Sequence, residues 1–253
     1  MKEEIAKIAA KIKEGGNNVA FTGAGISTES GIPDFRSQGG IWDKFRPVYF
    51  NEFMSSKAAR TEYWQRWTEL YQGIVRAQPN PAHLALARLN DLGLLQAVVT
   101  QNVDGLHQAS GLPDEKVIEL HGNTRRIRCM SCREMLPVDE IRKRLADGDP
   151  APECRCGGYL KPDTISFGQT MPVAEVEKAL ALARDSDFFM VVGSTLLVQP
   201  AAQMPFYAKS NGAFLAIINL SETPCDEMCD VLIREKAGGV LQEIAAAVAG
   251  VVD

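Results

Sequence analysis

Short apolar runs recur along the chain, and none of them alternates with polar residues. They cover residues 19–22, 96–100, 116–120, 188–192 and 214–218. An apolar run of this length without alternation is typical of a strand buried on both faces, as in a parallel sheet. Stretches with helical spacing lie between several of the runs. This order predicts an α/β fold built on a doubly wound parallel sheet.

The spacing of apolar residues also predicts helices. Residues 1–14 are expected to form an amphipathic helix that ends at Gly15-Gly16, and Asn80-Pro81-Ala82 is expected to begin another. Residues 43–78 carry tryptophans and tyrosines at helical spacing, which indicates a helical insert. We therefore expect a Rossmann-like domain of residues 1–42, 79–123 and 161–253, and a small domain of residues 43–78 and 124–160.

Small or polar residues follow each apolar run. Gly23, Asn102, His121, Ser194 and Asn219 lie at or just beyond the ends of these runs. Ligands of doubly wound proteins bind beyond the carboxyl ends of the strands, so these five residues are expected at one ligand-binding edge. His121 is as compatible with a structural role as with catalysis on this ground alone. The other two histidines, His83 and His107, are on predicted helices and are interpreted as structural.

Composition narrows the class of protein. A length of 253 residues fits one large domain with a small insert, and a net charge of -5 argues against a dedicated nucleic-acid-binding protein. The basic run 124–128 is interpreted as a solvated face. Neither a signal peptide nor an apolar run of the ~20 residues that a membrane span needs is evident. The prediction is a cytoplasmic protein without a membrane partner.

Four of the six cysteines form two close pairs. Cys129 and Cys132 are separated from Cys154 and Cys156 by 21 residues. Two pairs of thiolates on two turns can complete a tetrahedral zinc site, and a site with four cysteine ligands is structural because it has no open position. The sequence therefore predicts one structural zinc ion. No role is assigned to Cys225 and Cys229.

A glycine-rich turn follows the first predicted strand. In Gly23-Ala24-Gly25 the glycines would let the backbone approach a pyrophosphate, but Thr28 stands where a dinucleotide fingerprint has its third glycine. By itself this pattern is as compatible with a tight turn as with a nucleotide-binding loop.

Together, several segments resemble the sirtuin family closely, in the family's order and over nearly the whole chain. They are residues 23–27, 31–36, 100–104 and 120–122, the four cysteines, residues 193–195 and Asn219. The resemblance implies an NAD-dependent protein-lysine deacylase, which releases nicotinamide and transfers the acyl group to ADP-ribose. It also implies that the zinc is structural.

The resemblance further implies roles for individual residues. His121 would be the catalytic base, and Asn102 would act with it in the nicotinamide pocket. Residues that would contact the substrate peptide are Ile165, Phe167, Gly168 and Val198. NAD would be bound by Gly23, Ala24, Gly25, Thr28, Asp34, Phe35, Arg36, Gln101, Asn102, Val103, Asp104, Gly193, Ser194, Thr195, Asn219, Leu220 and Ala237. The expected partners are proteins or peptides with acylated lysine.

The resemblance leaves the acyl group and the type of transfer open. Relatives that remove succinyl groups use a Tyr-x-x-Arg pair, which corresponds to Trp67 and Leu70 in one register and to Tyr63 and Arg66 in another. We expect a neutral acyl group such as acetyl, and removal of succinyl or long-chain acyl groups is the competing hypothesis. Protein ADP-ribosylation and a non-catalytic binding module are two more hypotheses, and the presence of His121 argues against both.

Overall fold

A six-stranded parallel sheet forms the centre of the protein. The structure is a computed structural model, and it describes residues 1–37 and 39–250. The strands lie in the order β3 (Val117–Glu119), β2 (Ala97–Thr100), β1 (Asn18–Thr22), β7 (Phe188–Val192), β8 (Phe214–Ile218) and β9 (Val231–Ile233). This order places β1 in the interior of the sheet, with the chain turning outward on either side. Every pairing in this sheet is parallel. The predicted α/β class with a Rossmann-like sheet is therefore confirmed.

The strands are short, and those at the centre are completely buried, as their uninterrupted apolar sequences require. Their bounds are β1 Asn18–Thr22, β2 Ala97–Thr100, β3 Val117–Glu119, β4 Gly122–Cys129, β5 Met135–Leu136, β6 Leu160–Thr164, β7 Phe188–Val192, β8 Phe214–Ile218 and β9 Val231–Ile233.

Ten α-helices surround the sheets in the described part of the chain. Their bounds are α1 Lys2–Glu14, α2 Ile41–Lys44, α3 Phe50–Ser55, α4 Lys57–Arg76, α5 Pro81–Asp91, α6 Leu106–Ala109, α7 Val138–Ala146, α8 Val173–Arg184, α9 Met204–Ser210 and α10 Ala237–Ala249.

Helices cover both faces of the large sheet. On one face α1, α5 and α10 contribute Ile8, Leu86 and Leu241 to a single apolar core. On the other face α8 and α9 pack Ala179 and Met204 against the opposite sides of the strands. Helix α5 begins where its sequence indicates, because the Asn80 side chain accepts a hydrogen bond from the Ala82 amide and Pro81 occupies the first turn.

A second sheet of three antiparallel strands, in the order β5-β4-β6, lies beside the first. Its core combines Ile127 and Leu160 with Trp64 and Trp67 of α4, so the aromatic helical insert and the cysteine segment share one hydrophobic cluster. The division into domains at residues 43, 79, 124 and 161 stays a prediction. Residue 38 and residues 251–253, which that division includes, lie outside the described residues.

Among the described residues, no helix has both the length and the apolar character that crossing a membrane would require.

Candidate functional site

The glycine turn after β1 is packed against the turn after β7. The Gly25 amide donates to the Gly193 carbonyl at 2.8 Å, and the Gly23 amide donates to the carbonyl of Val192 at 3.0 Å. A Cβ on Gly25 would lie 2.8 Å from the Gly193 Cα, and Gly193 itself has a φ of +62°. Glycine is required at these positions because two backbones meet there, which leaves the edge of the sheet without bulky side chains.

A buried serine joins the two polar residues that follow β2. The Ser27 hydroxyl donates to Asp104 Oδ2 at 2.8 Å and accepts from Asn102 Nδ2 at 3.1 Å. Burial raises the pKa of Asp104, while its hydrogen bonds from Leu106 and Ser27 act in the opposite direction. Ser27 therefore orients Asn102 and Asp104 together. No role was predicted for Ser27 from the sequence, although its position in the glycine turn was a usable signal.

His121 lies at the same edge, just beyond β3 and after Leu120. Its Nδ1 is 3.0 Å from the carbonyl oxygen of Gln101, so Nδ1 carries the proton and donates it, and Nε2 keeps a free lone pair. Burial lowers the pKa of His121 below its ordinary value of 6.5, and the hydrogen bond to Gln101 partly opposes this. The imidazole is therefore neutral at neutral pH and can accept a proton at Nε2.

The predicted peptide-contacting segment begins next to His121, because the Ile165 amide donates to the His121 carbonyl at 2.9 Å. The Phe167 ring then contacts Trp42 at a centroid distance of 5.8 Å and Tyr49 at 5.9 Å. Trp42 also contacts Phe35 at 5.1 Å. An aromatic row thus connects the predicted cofactor loop to the predicted peptide loop.

Two further predicted peptide-contacting residues, Gly168 and Val198, shape their loops through the backbone. Gly168 has a φ of +78°, which forms the turn after Phe167. The Val198 carbonyl accepts from the Ala202 amide at 2.9 Å, where the chain after β7 enters a short helical turn.

Several predicted cofactor residues are held by local hydrogen bonds. Thr28 Oγ1 donates to the Gly25 carbonyl at 2.9 Å, and the Asp34 carboxylate accepts from the Arg36 amide at 2.9 Å. Ser194 Oγ donates to Gln101 Oε1 at 2.8 Å and so connects the ends of β7 and β2. The last of these contacts joins two loops, whereas the first two stabilise the segment after β1 itself.

The remaining predicted cofactor-binding residues lie in several loops and at the starts of helical segments. The Val103 carbonyl accepts from the Thr124 amide, and the Asn219 side chain donates to the Ser221 carbonyl at 2.7 Å. Ala24 begins the 3-10 turn after Gly23, and Ala237 begins α10. Thr195 is half-buried, whereas Leu220 is 61 % exposed.

The four predicted zinc ligands converge. The sulfur atoms of Cys129, Cys132, Cys154 and Cys156 all lie within 4.8 Å of one another. The Cys129–Cys156 separation is 3.6 Å and the Cys132–Cys154 separation is 3.7 Å. Zinc–sulfur bonds of ~2.3 Å in a tetrahedron imply a sulfur–sulfur edge of about 3.8 Å. The cluster therefore has the size that a zinc ion requires.

The fold and site define a doubly wound α/β protein with a polar, glycine-lined edge and a four-cysteine module. The profile of the Sir2 family matches residues 23–200. An NAD-dependent protein deacetylase of Thermodesulfovibrio yellowstonii is 46% identical over 96% of this chain and 94% of its own length. The chain belongs to the Sir2 family.

Solved structures agree with this assignment. A Sir2 enzyme structure, 40% identical, superposes with a TM-score of 0.88 over 100% of both chains. A Sir2 protein solved with a deacetylated p53 peptide and 3'-O-acetyl-ADP-ribose is 34% identical, with a TM-score of 0.89 over 98% of each chain. The chain thus matches this family in sequence and in three-dimensional structure.

Proposed function

We propose that the protein is an NAD-dependent protein-lysine deacetylase. The observation that carries the proposal is a neutral His121 with a free Nε2, at the same strand edge as the Ser27-Asn102-Asp104 cluster. A binding module would not need such a base. The deacetylase name of a relative that is 46% identical over 96% of this chain supports the same reaction.

The donor set at the edge fits NAD. The turn of Gly23 and Gly25 carries no bulky side chain because it packs closely against the turn after β7, and the exposed Arg36 guanidinium can offset the negative charge of a pyrophosphate. Asn102 and Asp104 are polar and buried, so they suit a polar ring such as a carboxamide-bearing pyridine. When bound, NAD supplies the nicotinamide–ribose bond that breaks and the ADP-ribose that accepts the acyl group.

The residues of the site would position the substrates and move one proton. Asn102 and Asp104, oriented by Ser27, would hold the nicotinamide end, and Phe35 with Trp42 would exclude water from the reacting carbon. His121 Nε2 would accept the proton of a ribose hydroxyl, since the imidazole is already neutral. A histidine with its pKa at or below 6.5 suits this transfer near pH 7.

The contacts around α4 support a neutral acyl group. Arg66 forms an ion pair with Glu62, so its charge is already compensated. The Tyr63 hydroxyl lies 3.2 Å from Thr164 Oγ1, and Trp67 donates from Nε1 to Thr124 Oγ1 at 2.8 Å. In neither register is a free arginine next to a tyrosine available for an acyl carboxylate, which is the reason to favour acetyl over succinyl.

The cysteine cluster would hold one zinc ion through its four thiolates. With four protein ligands it would supply a structural crosslink, because it keeps no open position for a substrate. Acylated-lysine proteins or peptides remain the proposed partners. The absence of a nucleic-acid partner and the cytoplasmic location stay predictions.

The test is nicotinamide release from NAD with three matched peptides, bearing acetyl-lysine, succinyl-lysine or unmodified lysine. We expect release and loss of the acetyl group in equal amounts, with neither from the unmodified peptide. The His121→Ala variant should still bind NAD but lose deacetylation. Preferential removal of succinyl would contradict the acetyl proposal, and labelling of protein from labelled NAD without deacetylation would indicate ADP-ribosyl transfer instead.

A further inference from the structure

Two histidines lie buried behind the site and have no role in the proposed chemistry. His83 is 0% exposed and His107 is 2% exposed, and their ring centroids are 5.0 Å apart. Burial lowers the pKa of His83 to about 4 and that of His107 to about 3, where the neighbouring His83 adds to the effect. Both imidazoles are therefore neutral whenever the protein is folded near pH 7.

The hydrogen bonds of His107 define which nitrogen carries its proton. The Thr22 hydroxyl donates its only proton to Thr100 Oγ1 at 2.8 Å, so it must accept from His107 Nε2, which also lies at 2.8 Å. Nε2 of His107 is consequently protonated, and Nδ1 is an acceptor.

His83 has the complementary arrangement. Its Nδ1 faces the Asn80 amide at 3.4 Å and accepts from it, so its proton is on Nε2. His83 Nε2 and His107 Nδ1 are buried and have no partner among the described residues. The pair thus offers one donor and one acceptor, and buried polar groups of this kind are normally satisfied, by a water molecule where space permits.

The Thr22–Thr100–His107 contact closes the base of the loop formed by residues 101–106. Thr100 Oγ1 accepts from the Asn102 amide at 3.0 Å, at the start of the loop. His107 follows the loop directly and is hydrogen-bonded to the same hydroxyl pair. One network of hydrogen bonds therefore fixes both ends of the segment that carries Asn102 and Asp104.

We propose that His107 is a positioning residue for the reaction, which holds the loop of Asn102 and Asp104 in place by donating from Nε2 to Thr22. The neutral imidazole suits this task because it keeps an Nε2 proton without a buried charge. The proposal rests on the proposed function, because it assigns the loop to the step that releases nicotinamide. His107 itself touches no reacting atom.

Four variants separate positioning from simple loss of packing. His107→Gln keeps a donor near the place of Nε2, His107→Asn places its donor nearer Nδ1, and His107→Leu has none. Thr22→Val removes the acceptor without changing the shape of the side chain. Leu112→Val is the control, because Leu112 is buried in the adjoining core and its apolar side chain can take no part in these hydrogen bonds.

The measurements are kcat for nicotinamide release, the dissociation constant for NAD, the unfolding midpoint and hydrogen exchange of residues 101–106. We expect His107→Leu, His107→Asn and Thr22→Val to lower kcat about 10- to 100-fold, as for a displaced positioning group, with faster exchange of the loop. His107→Gln should recover most of kcat. Combining Thr22→Val with His107→Leu should add little, because the two residues act through one contact. Leu112→Val should lower the unfolding midpoint and leave kcat unchanged.

The proposal is overturned if His107→Leu keeps the wild-type kcat, or if His107→Gln is as impaired as His107→Leu. If His107→Leu fails to fold, Thr22→Val compared with His107→Gln decides the question. A wild-type protein that releases no nicotinamide would refute the proposed function instead. In that case the hydrogen exchange of the loop still tests the contact, since it must accelerate in Thr22→Val and not in His107→Gln.

Discussion

Acid should destabilise this protein through its two buried histidines. In the unfolded chain His83 and His107 bind protons below their ordinary pKa of 6.5, whereas in the fold their pKa values are about 4 and about 3. Both folded values lie below the unfolded value. The contribution of the two neutral histidines to stability is therefore fully present above pH 6.5, and it is lost progressively as the pH falls toward their pKa values in the folded protein.

The size of the effect follows from these pKa values. At pH 5 each unfolded imidazole is almost fully protonated, and protonation from pH 8 to pH 5 stabilises the unfolded state by about 2 kcal/mol for each residue. The folded protein takes up almost no protons at these two positions, because both of their pKa values lie below 5. Between pH 8 and pH 5 the two residues together should therefore lower the free energy of unfolding by about 4 kcal/mol. This is a large share of the ~5–15 kcal/mol by which a typical domain is stable.

The assay is urea unfolding at pH 8 and at pH 5, of the wild type and of the double variant His83→Asn, His107→Gln. The variant side chains do not titrate but keep the acceptor for Asn80 and the donor for Thr22. Protons taken up at other groups cancel in the comparison, because both proteins contain those groups. From pH 8 to pH 5 the free energy of unfolding of the wild type should fall by about 4 kcal/mol more than that of the variant. At an m value of ~3 kcal/mol per molar, this corresponds to a difference of about 1 M in the shift of the urea midpoint. Equal losses in the two proteins would refute the buried, neutral state of the pair.

Three further predictions concern the candidate active site and the cysteine cluster. Ser27→Ala should lower the free energy of unfolding by about 1–3 kcal/mol, because Asp104 and Asn102 each lose a buried hydrogen bond, and kcat should fall as well. Denaturant unfolding and nicotinamide release that both match the wild type would contradict this prediction. The acid limb of kcat/KM should lie below pH 6.5, because burial lowers the pKa of His121 and the base is lost only when it is protonated; a limb above pH 6.5 would argue for another base. Cys132→Ala should reduce bound zinc from one ion per chain to none and lower the unfolding temperature, as measured by metal analysis and thermal unfolding. The control variant Cys229→Ala should keep the zinc. A Cys132→Ala protein that retains zinc would disprove the four-thiolate site.

The sheet was predictable because its signal is local. Buried parallel strands need uninterrupted apolar residues, and β1, β2, β7 and β8 each show that pattern within a few positions. The edge that Gly23, Asn102 and His121 share follows from the same pattern, since parallel strands end on one side. The spacing of the four cysteines likewise indicated a metal cluster, and their sulfur atoms do converge.

The internal connections of the site were not predictable from spacing. Ser27 and Asp104 are 77 positions apart, yet a 2.8 Å hydrogen bond joins them. Trp42 contacts both Phe35 and Phe167, and only the packing of the two loops places the three rings together. The sequence indicated which residue types belong near the edge, but not which of them bind one another.

By itself, the sequence determined the class of fold, the edge at which ligands bind, and the four-cysteine cluster, because each depends on short-range patterns of burial or on spacing. Only the tertiary structure decided that His121 carries its proton on Nδ1 and keeps Nε2 free, and that His83 is buried against His107. Those properties depend on which groups from distant segments meet, and on how much water their meeting excludes.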